Sequence, residues 1–397
     1  MYCGREEEMM GKVIYLDNAA TTKVYDEVVE AMLPYFTEYY GNTSAVYTFA
    51  GQANKAVTIA REQIAKVIGA RTDEIYFTGG GSESDNWALK AVIEEYGEKK
   101  GKHIITTTVE HHAILHTCEY LESLGCEITY VNVDEEGMIR MDELKAAIRP
   151  DTVLISVMTA NNEVGTIQPV EEIGALAHEH EIIFHTDAVQ AFGHIPIDVE
   201  KMHIDLLSAS GHKINGPKGI GMMYINKSVK IKSFIHGGAQ ERQRRAGTLN
   251  VPGIVGFGKA AEIALRDMEK RSKYEEELRN HLAERVMNEI KYAKFNGSKT
   301  SRLPNNANFS FQYVEGESML ILLDQRGICS SSGSACTSGS IDPSHVLTAM
   351  GVPEELAHGS IRLTLSELNT LEEIDYTVDE LKKIIERLRS MSPLYQG

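Results

Sequence analysis

The chain has 397 residues, an apolar fraction of 42% and a formal net charge of −17. This length predicts roughly two domains, and the apolar fraction is sufficient to bury sizeable cores. The acidic balance argues against a nucleic-acid-binding surface, which is normally basic. No segment reaches about 18 uninterrupted apolar residues, so no membrane span is predicted.

The cysteines and the N-terminus indicate a compartment. The five cysteines are odd in number and widely scattered, which argues against a disulfide framework and favours the reducing cytoplasm. The first eight residues are acidic and no apolar stretch follows them, so no signal peptide is predicted. We interpret residues 1–24 as an N-terminal segment, an extension that continues into part of a smaller domain.

Short apolar runs alternate with helical patterns from about residue 55 to 225. Predicted helices cover Ser82–Tyr96 and Val170–His180, and Ile220–Ile225 is predicted as an antiparallel strand. The alternation favours an α/β fold with a mainly parallel, doubly wound sheet, and we assign residues 25–264 to this large domain. The other predicted strands are Glu74–Thr78, His103–Val109, Glu127–Val133, Thr152–Thr159, Ile182–Thr186 and Asp205–Ala209.

The pattern changes near residue 260. Ala260–Ile290 is a charged helical stretch that we predict to be a connector leaving the large domain. Residues 265–397 then mix strands and helices, which predicts a smaller α+β domain. Its predicted strands lie near Asn308–Phe311 and Ser360–Leu365, and its predicted helices near Ser318–Gln325 and Glu372–Ser390.

Two groups of polar residues lie at predicted strand ends, where open parallel sheets bind ligands. Gly79–Ser82 joins a strand to a helix and is suited to hold a phosphate at the helix N-terminus. The spacing is not that of a dinucleotide fingerprint, since Ser84 replaces the last glycine. A plain strand-to-helix turn is an equally good interpretation of the glycines alone.

Asp187 ends a predicted strand and Gln190 follows it. A carboxylate at that place suits a protonated ring nitrogen of pyridoxal phosphate (PLP), although a helix N-cap is the better interpretation of Asp187 alone. Lys213 lies among glycines in Ser208–Gly221, just past another strand. That setting favours an accessible Schiff-base lysine, and the alternative is a solvated lysine in a surface turn.

Other clusters carry weaker signals. His112 and His116 are four residues apart on a predicted helix, but no cysteine or carboxylate completes a known metal spacing, so no metal site is predicted. The basic group of Arg242, Arg244 and Arg245 is interpreted as a solvated loop.

The sequence around each cysteine indicates whether it is buried or exposed. Packing in the core is expected for Cys118 and Cys126, and it is favoured for Cys329. Cys336 instead lies among small polar residues in Ser330–Gly339, a composition typical of an exposed segment.

Several segments together resemble a known family. They resemble the PLP-dependent class V aminotransferases of fold type I, over nearly the whole chain after residue 12 and in the family's order. The segment Ser331–Gly339, with Cys336 within it, narrows the resemblance to the cysteine desulfurases of the NifS/IscS type. The other matching segments are Tyr15–Thr22, Ser82–Asn86, Glu110–Ile114, Asn161–Gly165, His185–Gln190 and Ser210–Lys213.

The resemblance implies a role for each site residue. It implies that Lys213 holds PLP and moves the Cα proton, that His111 stacks on the ring and exchanges a proton with substrate, and that Cys336 is the nucleophile. Asn162 and Arg362 would bind the substrate carboxylate, Arg362 as a two-pronged fork. The implied cofactor contacts are Asp187 to the ring nitrogen, Gln190 to the 3′-oxygen, Gly81, Ser82, Ser210 and His212 to the phosphate, and Thr248 to the phosphate of the neighbouring subunit in a homodimer.

The implied activity is conversion of L-cysteine to L-alanine, with a persulfide on Cys336 as sulfur donor to an iron–sulfur scaffold or another acceptor. One departure from the family is Ser82, where threonine is commoner; the hydroxyl is kept, so little change is expected. Alternatives on the same fold are a selenocysteine lyase and a small-substrate aminotransferase, and the latter would not need Cys336. A non-catalytic sulfur carrier is disfavoured because Lys213, Asp187 and His111 are all present.

Overall fold

A computed structural model of the chain describes residues 12–332 and 343–395. Within these ranges, twelve strands form two sheets and one isolated strand pair. The strands are β1 Ile14–Tyr15, β2 Ile75–Thr78, β3 His103–Thr107, β4 Glu127–Val131, β5 Thr152–Ser156, β6 Ile183–Asp187, β7 Leu206–Ser210, β8 Gly221–Ile225, β9 Ala293–Phe295, β10 Asn306–Phe311, β11 Ile328–Cys329 and β12 Ser360–Thr364.

Helices cover both faces of the larger sheet. The longer ones are α1 Asp26–Met32, α2 Gly51–Val67, α3 Gly81–Tyr96, α4 His112–Ser123, α5 Met141–Ala147, α6 Val170–Glu179, α7 Val251–Glu289, α8 Gly316–Asp324, α9 His345–Ala349 and α10 Leu371–Met391. Shorter helical turns are Pro34–Thr37, Thr48–Ala50, Thr72–Glu74, Gly211–Lys213, Gln240–Gln243 and Glu354–Ala357. In the described part of the chain, no helix is long and apolar enough to cross a membrane.

The larger sheet has seven strands in the order β2-β8-β7-β6-β5-β3-β4. Strands β3 to β7 pair in parallel, and β8 pairs antiparallel with both β2 and β7. Every residue of β3 and β5 is buried, as expected for strands covered by helices on both faces. The predicted α/β fold and the antiparallel addition are therefore confirmed, while several predicted strands end two or three residues earlier than their apolar runs.

A second, antiparallel sheet lies in the C-terminal part of the chain, in the order β12-β10-β9. The N-terminal strand β1 pairs with β11 in parallel, and Asp17 bridges to Thr364 of β12. Leu16 accordingly packs in the same apolar cluster as Phe309 and Leu363. These contacts associate residues 14–17 with the C-terminal sheet, while the exact domain limits at residues 24 and 264 stay predictions.

Helix α7 is 39 residues long and begins earlier than the predicted start at Ala260. The Asn250 side chain caps it by accepting a hydrogen bond from the Gly253 N–H at 3.1 Å, and Pro252 lies in its first turn. Its first turns are buried in the core beneath the large sheet, and its last turns are buried in the core of the smaller sheet. The helix thus connects the two parts of the chain, as predicted, and in addition it contributes residues to both cores.

Candidate active site

A cavity of about 280 Å³ opens at the carboxyl ends of β6 and β7, between the two sheets. Asp187 is the last residue of β6 and Ser210 the last of β7. Ten of the predicted site residues line this cavity: Gly81, Ser82, His111, Asn162, Asp187, Gln190, Ser210, His212, Lys213 and Arg362. The fold therefore brings residues far apart in sequence into one place, and their individual roles stay predictions.

Two predicted site residues stand apart from this group. Thr248 is exposed and lies outside the cavity lining, which is compatible with its predicted contact to a neighbouring subunit. Cys336 lies outside the described residues; the described chain stops at Ser332 and resumes at Pro343. Its predicted role as nucleophile therefore stays a prediction.

The glycine turn forms one end of the cavity. Gly80 has a φ of 155° and precedes the first residue of α3. A Cβ on Gly81 would lie 2.5 Å from the Val189 side chain, so the turn needs a residue without a side chain there. The first N–H groups of a helix lack intrahelical acceptors and carry the positive end of its dipole. This end of the cavity is therefore suited to an anion such as a phosphate.

Lys213 follows β7 in a short helical turn. Its Nζ donates hydrogen bonds to the carbonyl oxygens of Ala19, at 2.5 Å, and Ala20, at 2.8 Å. Gln190 Nε2 also donates to the Ala19 carbonyl, at 3.0 Å. The N-terminal segment thus forms a wall of the site, and the alternative of a solvated lysine in a surface turn is wrong for Lys213.

Asp187 is 6% exposed and faces the same cavity. Its Oδ1 accepts a hydrogen bond from the Val189 N–H at 2.8 Å. The residues that follow form turns and no helix, so the alternative of a helix N-cap is wrong here. Burial raises the pKa of Asp187 to about 6, partly offset by this hydrogen bond and by the nearby Lys213 charge.

Two histidines of the cavity are neutral at pH 7. His111 caps α4, where its Nδ1 accepts a hydrogen bond from the Ala113 N–H at 3.1 Å. Burial lowers the pKa of His111 to about 4, with a smaller contribution from the Lys213 charge. Burial likewise lowers the pKa of His212 to about 4. A neutral imidazole has one acceptor nitrogen and one N–H, and in His111 the acceptor is the Nδ1 bonded to Ala113, so its Nε2–H is a hydrogen-bond donor.

Arg362 projects from β12 on the opposite wall and is 4% exposed. Its Nη1 donates to the Asn162 carbonyl oxygen at 3.0 Å, and its Nη2 donates to Asp17 Oδ1 at 2.8 Å. Its Nε has no hydrogen-bond partner in the described part of the chain. The guanidinium is thus held in a fixed orientation, and these two bonds use only two of its five N–H donors, so donors remain for a carboxylate.

One carboxylate of the cavity was not predicted. Asp85, on α3, lines the cavity, and its carboxylate, the His111 ring and the Asp187 carboxylate offer atoms within 4.8 Å of one another. This is the one such convergence of three metal-type side chains among residues 12–332 and 343–395, and the His112 and His116 pair is not in it. The signal was available, because Asp85 belongs to the Ser82–Asn86 segment that carries the resemblance.

The basic group near residue 244 differs from the predicted solvated loop. Arg245 forms an ion pair with Glu83 at 2.8 Å, and the Arg242 guanidinium stacks on Tyr76, 4.1 Å from the ring centre. Arg242 also donates to the Ile75 carbonyl oxygen at 2.7 Å. These arginines pack against the edge of the large sheet, because long-range partners absent from the local sequence hold them there.

The expectations for the structural cysteines are tested by burial. Cys118 and Cys126 are both buried, which confirms the prediction that they pack in the core. Cys329, in β11, is partly exposed, so the preference for packing holds only in part. All three are free thiols, and no disulfide joins any cysteines of the described ranges.

Comparison with known proteins agrees with this site. Residues 14–377 match the family described as aminotransferase class-V. A protein of Methanosarcina thermophila named cysteine desulfurase IscS is 55% identical over 391 residues, which cover 98% of this chain and 96% of that protein. A solved structure named NifS-like protein has a TM-score of 0.89 and 42% identity, and covers 94% of this chain and 100% of its own.

A further solved structure, described as SspA in complex with cysteine, has a TM-score of 0.78 and 38% identity. It covers 90% of this chain and 100% of its own. The chain therefore belongs to the class-V aminotransferase family, whose members share the PLP fold type I architecture. Within that family it groups with the cysteine desulfurases of the NifS and IscS type, which confirms the resemblance found in the sequence.

Proposed function

We propose that this protein is a PLP-dependent cysteine desulfurase that removes sulfur from L-cysteine and releases L-alanine. The observation that carries the proposal is a single cavity that combines Lys213, the buried Asp187 carboxylate and the preoriented Arg362 guanidinium. Support comes from the 55% identical cysteine desulfurase IscS and from the solved SspA structure with cysteine.

The residues present fit PLP by their chemistry. A buried carboxylate, Asp187, suits the protonated ring nitrogen, and Lys213 supplies the amine that bonds the aldehyde. The end of α3 with Gly81 and Ser82, together with Ser210 and His212, offers donors for the phosphate. His111 would lie against the ring and Gln190 would donate to the 3′-oxygen, while Thr248 would reach the phosphate of a partner subunit. When bound, PLP draws electrons from the substrate carbons.

The substrate carboxylate would bind between Arg362 and Asn162. The arginine is already held by the Asn162 carbonyl and by Asp17, so little side-chain freedom is lost on binding. A charge-assisted hydrogen bond from Arg362 fixes the orientation of L-cysteine. Lys213 would then act on the Cα hydrogen and His111 on the thiol.

Proton transfer would fall to two residues with different properties. Lys213, as a neutral amine, takes the Cα proton and returns a proton to the substrate. His111 is neutral because burial lowers its pKa to about 4, and its Nε2–H would donate to the substrate and exchange a proton with it. The roles divide according to which substrate atom each side chain faces.

Cys336 would carry out the sulfur transfer. Its thiolate attacks the substrate sulfur, forming an S–S bond as the Cβ–S bond breaks and leaves its electron pair with the substrate carbon. That carbon is protonated and the product is L-alanine. The persulfide on Cys336 then gives its outer sulfur to an acceptor thiol, and an iron–sulfur scaffold protein is the acceptor we propose. A cytoplasmic homodimer is part of this proposal.

The proposal is tested by supplying L-cysteine and a thiol reductant to the purified protein and quantifying alanine and sulfide. We expect both in equal amounts, together with a yellow colour from the cofactor. Pyruvate and ammonia released with the sulfide in place of alanine would contradict a desulfurase. Amino transfer to a keto acid with no sulfide would instead identify a small-substrate aminotransferase, and turnover restricted to selenocysteine would identify a selenocysteine lyase.

A further inference from the structure

Asp85 is a buried carboxylate in the active-site cavity without a role in the chemistry described so far. It lies on α3, is 1% exposed and lines the cavity. Its Oδ1 has no hydrogen-bond partner among residues 12–332 and 343–395. Since burying a polar atom without a partner is costly, this oxygen requires a physical explanation.

Within residues 12–332 and 343–395, no lysine or arginine forms an ion pair with the Asp85 carboxylate. His185 Nε2 lies 3.7 Å from Asp85 Oδ1, but burial lowers the pKa of His185 to about 3, so the ring is neutral. The two His185 nitrogens are within hydrogen-bond distance of the Ser156 hydroxyl, at 2.9 Å, and the Ser208 hydroxyl, at 3.0 Å. The Lys213 ammonium donates to Ala19 and Ala20 on the far wall.

The other neighbours of Asp85 are themselves acidic or neutral. Its carboxylate, that of Asp187 and the His111 ring offer atoms within 4.8 Å of one another, and the Ser208 hydroxyl donates a hydrogen bond to it. Two buried carboxylates this close do not both ionise, because each charge raises the pKa of the other. One of the pair must hold a proton.

The hydrogen bonds decide which carboxylate is ionised. Asp187 accepts from the Val189 N–H and feels the Lys213 charge, and both stabilise its anion. Asp85 accepts from the Ser208 hydroxyl, but its Oδ1 has no donor among residues 12–332 and 343–395, and burial and the Asp187 charge both outweigh the Ser208 bond. Burial first, and then the Asp187 charge, raise the pKa of Asp85 well above its usual range. The proton therefore belongs on Asp85.

We propose that Asp85 is a positioning residue that acts as a neutral carboxylic acid and directs its proton toward Asp187, which keeps Asp187 the single anion facing the cofactor ring nitrogen. The inference rests on the proposed function in that it takes PLP as the occupant of this cavity. It explains the unpartnered Oδ1 oxygen, which becomes the donor atom of the protonated acid. The partner of Asp187 on its other side is then the ring nitrogen.

The test compares two replacements of similar size, Asp85→Asn and Asp85→Leu. The amide of asparagine cannot ionise but still donates, so it reproduces a neutral acid, whereas leucine removes the donor. We expect the Kd for PLP, measured by titrating the cofactor-free protein, to stay within about threefold of wild type in Asp85→Asn. In Asp85→Leu it should rise about tenfold or more, because a hydrogen bond to a charged group is lost.

Infrared spectroscopy of the cofactor-free protein tests the protonation state directly. The stretching band of a protonated carboxyl should be present at neutral pH and should lose intensity in Asp85→Asn. Glu110→Gln is the matched control, because Glu110 is a second buried carboxyl, with its pKa raised to about 8 by burial, that does not line the cavity. The control should remove a different band and leave that of Asp85.

The inference is overturned if Asp85→Asn binds PLP as weakly as Asp85→Leu, since Asp85 would then act as an anion. It is also overturned if Asp85→Leu binds as tightly as wild type, or if Asp85→Asn leaves the infrared spectrum unchanged. Should Asp85→Leu fail to fold, the asparagine variant and the infrared measurement decide the matter. A wild-type protein that binds PLP but makes no sulfide would contradict the proposed function and leave this inference standing.

Discussion

Ser331 and Arg362 exchange two backbone hydrogen bonds: the Arg362 N–H donates to the Ser331 carbonyl at 2.6 Å, and the Ser331 N–H donates to the Arg362 carbonyl at 3.2 Å. The chain that leads toward Cys336 is therefore paired with the arginine proposed to bind the substrate carboxylate. Farther along, the Ser344 hydroxyl donates to the buried Glu163 carboxylate, next to Asn162. Both proposed carboxylate-binding residues thus lie beside an anchor of the segment that contains Cys336.

Replacing Arg362 by alanine should weaken cysteine binding. A hydrogen bond to a charged group contributes about 1.5–3 kcal/mol, so KM should rise by about one to two powers of ten while PLP stays bound. Steady-state kinetics and the cofactor absorbance provide the measurements. Arg326→Ala is the control, because Arg326 is half exposed and pairs with Glu380 away from the cavity. An unchanged KM in Arg362→Ala would remove Arg362 from the substrate site.

Variants of Lys213 and Cys336 should block different steps of the reaction, cofactor binding in the first case and sulfur transfer in the second. Lys213→Ala should lose both the visible absorbance of the bound cofactor and turnover, because the amine bonds PLP in the proposed scheme. Cys336→Ser should keep the colour and its change on adding cysteine, yet release neither alanine nor sulfide, since a hydroxyl is a far weaker nucleophile than a thiolate. Sulfide from Cys336→Ser at near wild-type rate would refute the desulfurase proposal and favour a lyase or aminotransferase.

Ser344→Ala should destabilise the fold. The Ser344 hydroxyl donates to the Glu163 carboxylate and accepts from the Leu347 N–H at the start of α9, so the change removes a helix cap and leaves a buried carboxylate without this donor. We expect a loss of about 1–3 kcal/mol in the free energy of unfolding, measured with denaturant. Ser390→Ala, at an exposed serine on α10, is the control and should cost less than about 0.5 kcal/mol. Equal stability of the two variants would contradict the role of Ser344.

His194 should make the fold sensitive to mild acid. Its Nε2–H donates to the Lys213 carbonyl at 3.0 Å, and burial, with help from the Arg271 charge, lowers its pKa to about 4. Since the unfolded chain has a histidine pKa near 6.5, it binds more protons between about pH 6.5 and 4. The His194 contribution to stability is therefore complete above pH 6.5 and is lost as the pH falls toward 4.

The measurement compares wild type with His194→Gln, whose amide donates the same hydrogen bond but does not titrate. Between pH 7 and 5 the wild type should lose about 2 kcal/mol more stability than the variant. Other groups also titrate: Glu110 and Asp187, for example, have raised pKa values that favour the fold at lower pH. The comparison isolates His194 because these groups are the same in both proteins. Parallel stability curves for the two proteins would show that folding does not lower the pKa of His194, which would contradict the prediction.

The parts of the site that could be predicted from sequence are those that local pattern controls. Asp187 and Lys213 each follow a buried apolar run, and parallel strands bring their carboxyl ends to one edge of a sheet. Resemblance supplied the residues that have no such pattern, including Arg362 on a strand of the smaller sheet. The pairing of Arg362 with Asp17, 345 residues away, has no local signal.

The start of α7 was missed because three glycines near it argue against a helix on propensity. Packing explains them: a Cβ on Gly258 would lie 2.5 Å from Ala60 on α2, so the two helices approach more closely than larger residues allow. The cap at Asn250 and the proline after it were the available signals. Tertiary packing therefore outweighed helix propensity at the start of α7. A tertiary contact also explains Arg245, since its partner Glu83 is 162 residues distant and has no signal in the local sequence.

Helix α7 also fixes the width of the active-site cavity. At a rise of about 1.5 Å per residue, its 39 residues form a rod nearly 60 Å long. Phe257 near one end lies in the core that supports Lys213, and Leu282 near the other lies in the core that supports Arg362. Because one unbroken helix is embedded in both cores, its length and straightness fix the distance between the two walls of the cavity. A kink introduced midway, for example by Lys270→Pro, would change the gap between amine and guanidinium without touching either.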